Sequence, residues 1–161
     1  MQKIELISPH QAEKICRELT ADLPEWFGIP IANEQYAKGC LERTSIAIKE
    51  EQDFIGMITL EYPFNNNANI YWMAVKRAFH GKQVGTQLLQ AAVKDCRQKG
   101  FQTITVETLS PKHQDPNYLK TYLFYEKCGF KPLFELKPFG PELLMCYMII
   151  NIQLAFQNSI L

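Results

Sequence analysis

The chain has no excess of charge of either sign, no apolar run long enough to cross a bilayer, and no paired-cysteine motif. Its 17 Lys and Arg balance 17 Asp and Glu over 161 residues, so composition offers no electrostatic argument for nucleic acid or for an anionic membrane surface. A spanning helix needs about 18 consecutive apolar residues, and no run approaches that length. The start, Met1-Gln2-Lys3-Ile4-Glu5, has an early acid and no apolar core, so no signal peptide is expected. The cysteines (Cys16, Cys40, Cys96, Cys128 and Cys146) are odd in number, are never spaced CxxC, and do not cluster with His10, His80 or His113. No metal site is expected, and a reduced, cytoplasmic location is the better reading. Repeats, low-complexity tracts and linkers are also lacking, so residues 1–161 read as one domain. No acidic cluster advertises a cationic substrate.

What is present is a regular alternation of short elements. Residues 3–7 alternate as a strand. Ser8 is a plausible N-cap and Pro9 a first-turn residue for a helix to about Thr20. Asp22–Pro30, with Trp26 and Phe27, reads as a loop, and Asn33 reads as the cap of a second helix to about Leu41. Ser45–Ile48 and Phe54–Leu60 flank a polar turn as a hairpin, and residues 68–75 return as a third strand. A helix follows from about Val84 to Lys99, with Val84, Leu88, Leu89, Ala92, Val93 and Cys96 on one face. Gly100 stops it. A strand over 102–108, an aromatic helix over 117–128 ending at Gly129, and strands near 130–136 and 143–151 complete an α+β order.

The most informative stretch is Phe79-His80-Gly81-Lys82-Gln83-Val84-Gly85-Thr86, a glycine-punctuated turn between the strand Ile70–Val75 and a helix. The first N–H groups of a helix have no intrahelical partner, and the helix dipole adds positive charge there. Phosphate or pyrophosphate is the natural ligand.

Three motifs together resemble those of the Gcn5-related N-acetyltransferase (GNAT) superfamily. His80-Gly81-Lys82-Gln83-Val84-Gly85 resembles its Q/R-x-x-G-x-G/A acetyl-CoA signature, with His80 at the first position and Gln83 where the first glycine stands. Val106-Glu107-Thr108 closes the next strand. Phe124-Tyr125-Glu126-Lys127-Cys128-Gly129-Phe130 is close to (L/F)-Y-E-K-x-G-F. The resemblance implies a mixed, mostly antiparallel central sheet flanked by helices, the acyl-CoA N-acyltransferase fold. Its strands near 70–75 and 103–108 should splay to admit the pantetheine arm. It implies an acetyl-CoA-dependent N-acetyltransferase moving an acetyl group to a primary amine by direct attack in a ternary complex. A non-catalytic CoA-binding or sensing module on the same fold is the alternative.

By the same resemblance, the main-chain N–H groups of Gln83, Val84, Gly85 and Thr86 hold the CoA pyrophosphate, with Lys82 nearby. Backbone groups of Met73, Ala74 and Val75 partner the pantetheine. Tyr125 is the candidate general acid, since a phenol titrating near ~10 keeps its proton at neutral pH. Glu107 is the candidate general base, with Glu61 or a water as alternatives. His113 reads as a solvent-exposed loop residue. Cys128 has no identifiable His partner for a covalent route. Trp26, Phe27, Tyr36, Tyr118 and Tyr122 either border an acceptor pocket or pack as core cover. The acceptor is left open. A homodimer through the last strands or the tail is suggested by Leu154, Phe156, Ile160 and Leu161.

Overall fold

A computed structural model describes residues 1–153 and residue 155. Its elements run β1 (Gln2–Ile7), α1 (Pro9–Asp22), α2 (Pro30–Gly39), β2 (Thr44–Glu50), β3 (Asp53–Phe64), β4 (Asn67–Val75), α3 (Val84–Gln98), β5 (Thr103–Leu109), α4 (Pro116–Lys127), β6 (Lys131–Leu136) and β7 (Met145–Asn151). This is the order expected from the sequence. The tail residues 154, 156, 160 and 161, on which dimerisation was partly argued, lie outside the described residues. The chain forms two compact units. One comprises Met1–Glu61 with Ile70–Asp95, the other Tyr62–Asn69 with the chain from Cys96 on.

In the first unit the strands lie in the order β1-β2-β3-β4. β1 and β2 pair antiparallel, with Ile4 opposite Ile48, and β2 pairs antiparallel with β3, with Ala47 opposite Met57. The Ser8 hydroxyl accepts from the Gln11 N–H at 3.3 Å, and the Gln11 side chain accepts from the Ser8 N–H at 3.1 Å. This reciprocal cap starts α1 at Pro9. Ala12, Ile15, Cys16 and Leu19 then fall on one buried stripe, the spacing of a helix face. They pack with Ala37, Cys40, Ala47, Met57, Trp72 and Ala74.

The second helix begins four residues earlier than the sequence reading placed it. Pro30 occupies the first turn and Ile29 the N-cap, because proline's fixed φ and missing N–H suit that position. Asn33 is therefore inside α2 and does not cap it. Its side-chain amide donates to the Phe27 carbonyl at 2.7 Å, tying the preceding aromatic loop to the helix.

In the second unit the strands lie in the order β5-β7-β6, all antiparallel, with Glu107 opposite Tyr147 and Thr108 opposite Cys146. The opening residues of β4 lie beside β5. The N–H groups of Gln102 and Thr103 donate to the Asn66 carbonyl at 3.0 and 3.3 Å. The Thr103 and Thr105 hydroxyls donate to Asn67 Oδ1 and Asn69 Oδ1 at 2.8 and 2.9 Å. Residue numbers rise together on the two segments, so they run parallel here.

α4 is capped by Asp115, whose Oδ1 accepts from the N–H groups of Asn117 and Tyr118 at 2.8 and 3.2 Å. At its far end Gly129 takes φ +101°, and the Phe130 N–H donates back to the Tyr125 carbonyl at 3.0 Å. This left-handed stop returns Phe130 onto Tyr125, ring centroids 5.4 Å apart. A Cβ at Gly129 would also sit 3.3 Å from Ile150 Cδ1. Gly129→Ala is expected to cost about 1–2 kcal/mol, measured by urea denaturation. A neutral effect would mean that the turn can relax without moving Phe130.

Candidate active site

The turn entering α3 is defined by its backbone. Gln83 adopts φ +63° and Gly81 φ +75°. The residue standing where the signature has glycine thus takes a glycine-like left-handed conformation despite its side chain. The Gln83 carbonyl accepts from the Gln87 N–H at 3.0 Å, closing the first turn. The N–H groups of Val84, Gly85 and Thr86 are then the ones that helix geometry leaves without intrahelical partners. The side chains of Lys82 and Gln83 are exposed. A Cβ at Gly81 would meet nothing within 4 Å. Open space and left-handed backbone suit a phosphate-binding turn.

Two contacts of this turn had no signal in the sequence. His80, at the signature's first position, donates from Nε2 to the Val75 carbonyl at 2.8 Å. Its ring also lies edge-on to Trp26, centroids 5.6 Å apart. The last residue of β4 is thereby tied to the start of the turn. Of the backbone groups expected to partner pantetheine, the Val75 carbonyl is engaged by His80. Lys82 places its ammonium 5.0 Å above the Phe79 ring, beside the turn. Val84 and Leu88 are buried packing residues.

On α4, Tyr125 is 5% exposed and lies between Phe124 and Phe130, ring centroids 5.2 and 5.4 Å away. Burial, and secondarily the neighbouring Cys128, pushes its phenol well above its usual value, because the anion would be poorly solvated. The group is neutral throughout the physiological range, as a proton donor must be.

Glu107 lies on β5 opposite Tyr147. Burial raises the Tyr147 phenol to about 12, and its hydrogen bond to the Glu107 carboxylate adds to the rise. Tyr147 was absent from the sequence reading, since nothing local announces a cross-strand partner. Side chains alternate along a strand. Ile104, Val106 and Thr108 are on the buried face of β5, the face of Ile150, against which Gly129 at the end of α4 lies. Glu107 and Tyr125 therefore belong to opposite faces of β5. Thr108 is 4% exposed, and its hydroxyl has no partner among the described residues.

Glu61 accepts from Arg43 Nε at 2.9 Å, which makes it the acid of an ion pair. His113 is half-buried and its Nδ1 accepts from the Asp115 N–H at 3.3 Å, a role at the cap of α4. Cys128 is half-buried at the end of the same helix. No group of His, Cys, Asp and Glu fit to hold a metal occurs among the described residues, and no helix among them is long and apolar enough to cross a membrane.

The strands, helices and phosphate-type turn are those of an acyl-CoA N-acyltransferase fold: α+β, with a mixed, mostly antiparallel sheet flanked by helices. Residues 12–130 match the model of the acetyltransferase (GNAT) family, and the chain belongs to that family, whose enzymes are N-acetyltransferases with acetyl-CoA as donor. No curated protein matches the chain. Among solved structures, a GNAT-family protein from Desulfovibrio desulfuricans superposes with TM-score 0.80 at 18% identity, covering 94% of this chain and 99% of its own. The ribosomal-protein-S18-alanine N-acetyltransferase of Escherichia coli gives 0.73 at 15%, covering 98% of each chain. An aminoglycoside 6′-N-acetyltransferase complexed with coenzyme A gives 0.70 at 18%, covering 93% of this chain and 97% of its own.

A left-handed Gln83 stores strain that glycine would not. Gln83→Gly is expected to leave stability unchanged or raise it, whereas the β-branched Gln83→Val should lose about 1–2 kcal/mol. Thermal denaturation ranks the two, and a less stable glycine variant would overturn the strained turn.

Proposed function

We propose that residues 1–161 form one catalytic domain, which transfers the acetyl group of acetyl-CoA to a primary amine by direct attack in a ternary complex. The observation that carries this reading is the left-handed turn at Gly81 and Gln83 ahead of α3. It presents the N–H groups of Gln83, Val84, Gly85 and Thr86 as a pyrophosphate cradle, with Lys82 beside it. Met73, Ala74 and Val75 supply backbone groups to the pantetheine. The unpartnered Thr108 hydroxyl, on the face of β5 that packs with α4, fits a further polar group of the donor.

The donor supplies an activated thioester. The acceptor nitrogen attacks its carbonyl carbon, a C–N bond forms, and the C–S bond breaks. Tyr125 gives its phenolic proton to the departing sulfur, and the second proton shed by the acylated nitrogen returns, through solvent, to the phenolate. Glu107, directly or through a water, takes the proton that the ammonium must lose before attack. Its place on the face opposite α4 suits an amine approaching from the Tyr147 side. The pairing of Glu61 with Arg43 disfavours it as the base. Five free thiols are consistent with a reducing, cytoplasmic setting.

A homodimer through β6 is part of the same reading. Leu133, Phe134, Leu136 and Phe139 are each more than half exposed, and an apolar cluster of this kind is uncommon on a monomer. The Phe134 ring stacks on Tyr147, centroids 4.9 Å apart, which would put the interface next to the partner of Glu107. Light scattering after gel filtration should give twice the monomer mass, and Phe134→Glu should give the monomer. A monomeric parent protein would remove the dimer.

Three measurements test the chemistry. CoA at ~100 times its dissociation constant should stabilise the protein by ~2.7 kcal/mol, and no thermal shift at millimolar CoA would remove the donor site. Tyr125→Phe should lower kcat about 10²-fold or more in thiol release; undiminished turnover would remove Tyr125 as the acid. Because burial raises the Tyr125 phenol, its proton is retained above the ordinary value near ~10. The kcat profile should therefore show no Tyr125-dependent fall below about pH 9.5. A descending limb near pH 8 that vanishes in the Phe variant would contradict the assignment.

A further inference from the structure

The short 3-10 turn Arg77–Phe79, which leads from β4 towards Gly81 and Gln83, buries none of its side chains. Core packing therefore does not place it. Besides its own backbone bonds, it is held by residues 52 and 55 positions away. The Arg77 N–H donates to Asp22 Oδ2 at 2.7 Å, and the Arg77 guanidinium donates back to the Asp22 carbonyl at 3.1 Å. The same guanidinium donates to Glu25 Oε2 at 2.5 Å, which holds the Glu25 carboxyl below its usual range. At the end of the turn the His80 ring meets Trp26 edge-on.

The other half of this clasp is fixed. Leu23 is 3% exposed in the core under α1, and its carbonyl accepts from the N–H groups of Trp26 and Phe27 at 3.1 and 3.0 Å. Asp22 is the last residue of α1, and no basic residue lies in that last turn. A carboxylate at this end opposes the helix dipole, so the needs of the helix do not account for Asp22. Arg77 supplies the missing cation, and its guanidinium reaches a carbonyl of the kind that helices leave open at their C-terminus. Asp22, Glu25 and Arg77 are all exposed, where an ion pair adds little to global stability. What the clasp fixes is position. Any shift of Arg77 passes along the turn to Gly81 and Gln83, and so to the first amides of α3.

We infer that Asp22 is a positioning residue of the donor site, acting through Arg77, with Glu25 as its auxiliary. It orients the turn before the donor arrives, so that the amides of residues 83–86 need little reordering on binding. Asp22 takes no part in the chemistry. This rests on the donor-site reading proposed above and adds to it the residue that sets the geometry of the cradle.

The test uses the whole chain and CoA, with affinity measured by titration calorimetry, stability by thermal denaturation and local opening by amide hydrogen exchange. Asp22→Ala should weaken CoA binding about tenfold. Asp22→Asn keeps an oxygen that can accept from the Arg77 N–H, and should bind CoA within about threefold of the wild type. Exchange over residues 76–83 should quicken in Asp22→Ala and stay near wild type in Asp22→Asn. Both melting temperatures should stay within about 3 °C of the wild type. A merely structural contact would lower the melting temperature and leave CoA affinity unchanged, which overturns the inference. So does an asparagine variant as weak as the alanine one, or exchange over residues 76–83 that Asp22→Ala leaves unaltered. A wild type that binds no CoA overturns the donor-site reading itself. Should Asp22→Ala not fold, Glu25→Ala on the exposed turn should still weaken CoA about threefold, and an unchanged affinity there overturns the inference.

Discussion

The turn from β4 into α3 depends on a hydrogen bond from the His80 imidazole to the Val75 carbonyl, beside the backbone bonds of residues 76–82, and on two left-handed residues, Gly81 and Gln83. The bond fixes where the chain leaves the strand, and the left-handed backbone fixes how it re-enters a helix. Between them they decide where the first amides of α3 point. In the proposed function those amides hold the phosphorylated donor, since the net charge of the chain is zero and supplies no general attraction for an anion. The strain at Gln83 is of the kind that persists where surrounding structure over-determines a turn. Here the surroundings are the buried Val84 and Leu88 just beyond it.

Proton traffic follows from burial rather than from proximity of the candidate groups. Tyr125 is kept neutral because α4 folds Phe124 and Phe130 around it, and the Gly129 turn is what brings Phe130 back. Glu107 belongs to the other face of β5 and is held by Tyr147. A single strand thus separates the two groups proposed to give and to take a proton.

Much of this was legible in the sequence. The N-cap Ser8 with Pro9 after it, the helical stripe of α1 and α3, and the Phe124–Phe130 string each encode their element locally, within one turn or one cap. The start of α2 was misread because Asn33 is a good N-cap by type, while Pro30 is a better first-turn residue by geometry; the Asn33 amide was needed by the Phe27 carbonyl instead. The conformation of Gln83 was not legible, since glutamine has no preference for positive φ and the surroundings impose it. The Tyr147 partner of Glu107 and the ion pair that occupies Glu61 were hidden for a different reason. Both join residues distant in sequence, so they depend on strand register, which no local pattern states.

The buried polar groups left unpaired point the same way as the turn. Among the described residues they are Trp72 Nε1 and Thr108 Oγ1, one on each of the strands that carry the expected site and each adjacent in sequence to an assigned residue. Elsewhere the protein meets such needs. The Thr59 hydroxyl is shared with Ser45 at 2.8 Å and with Cys40, and the buried Thr20 hydroxyl donates to the Cys16 carbonyl at 2.9 Å. Against that background the two buried groups without a partner are exceptions to the chain's own pattern. Local inconsistency with good packing is then informative. It separates the residues that hold the fold together from those that the fold holds ready for something else.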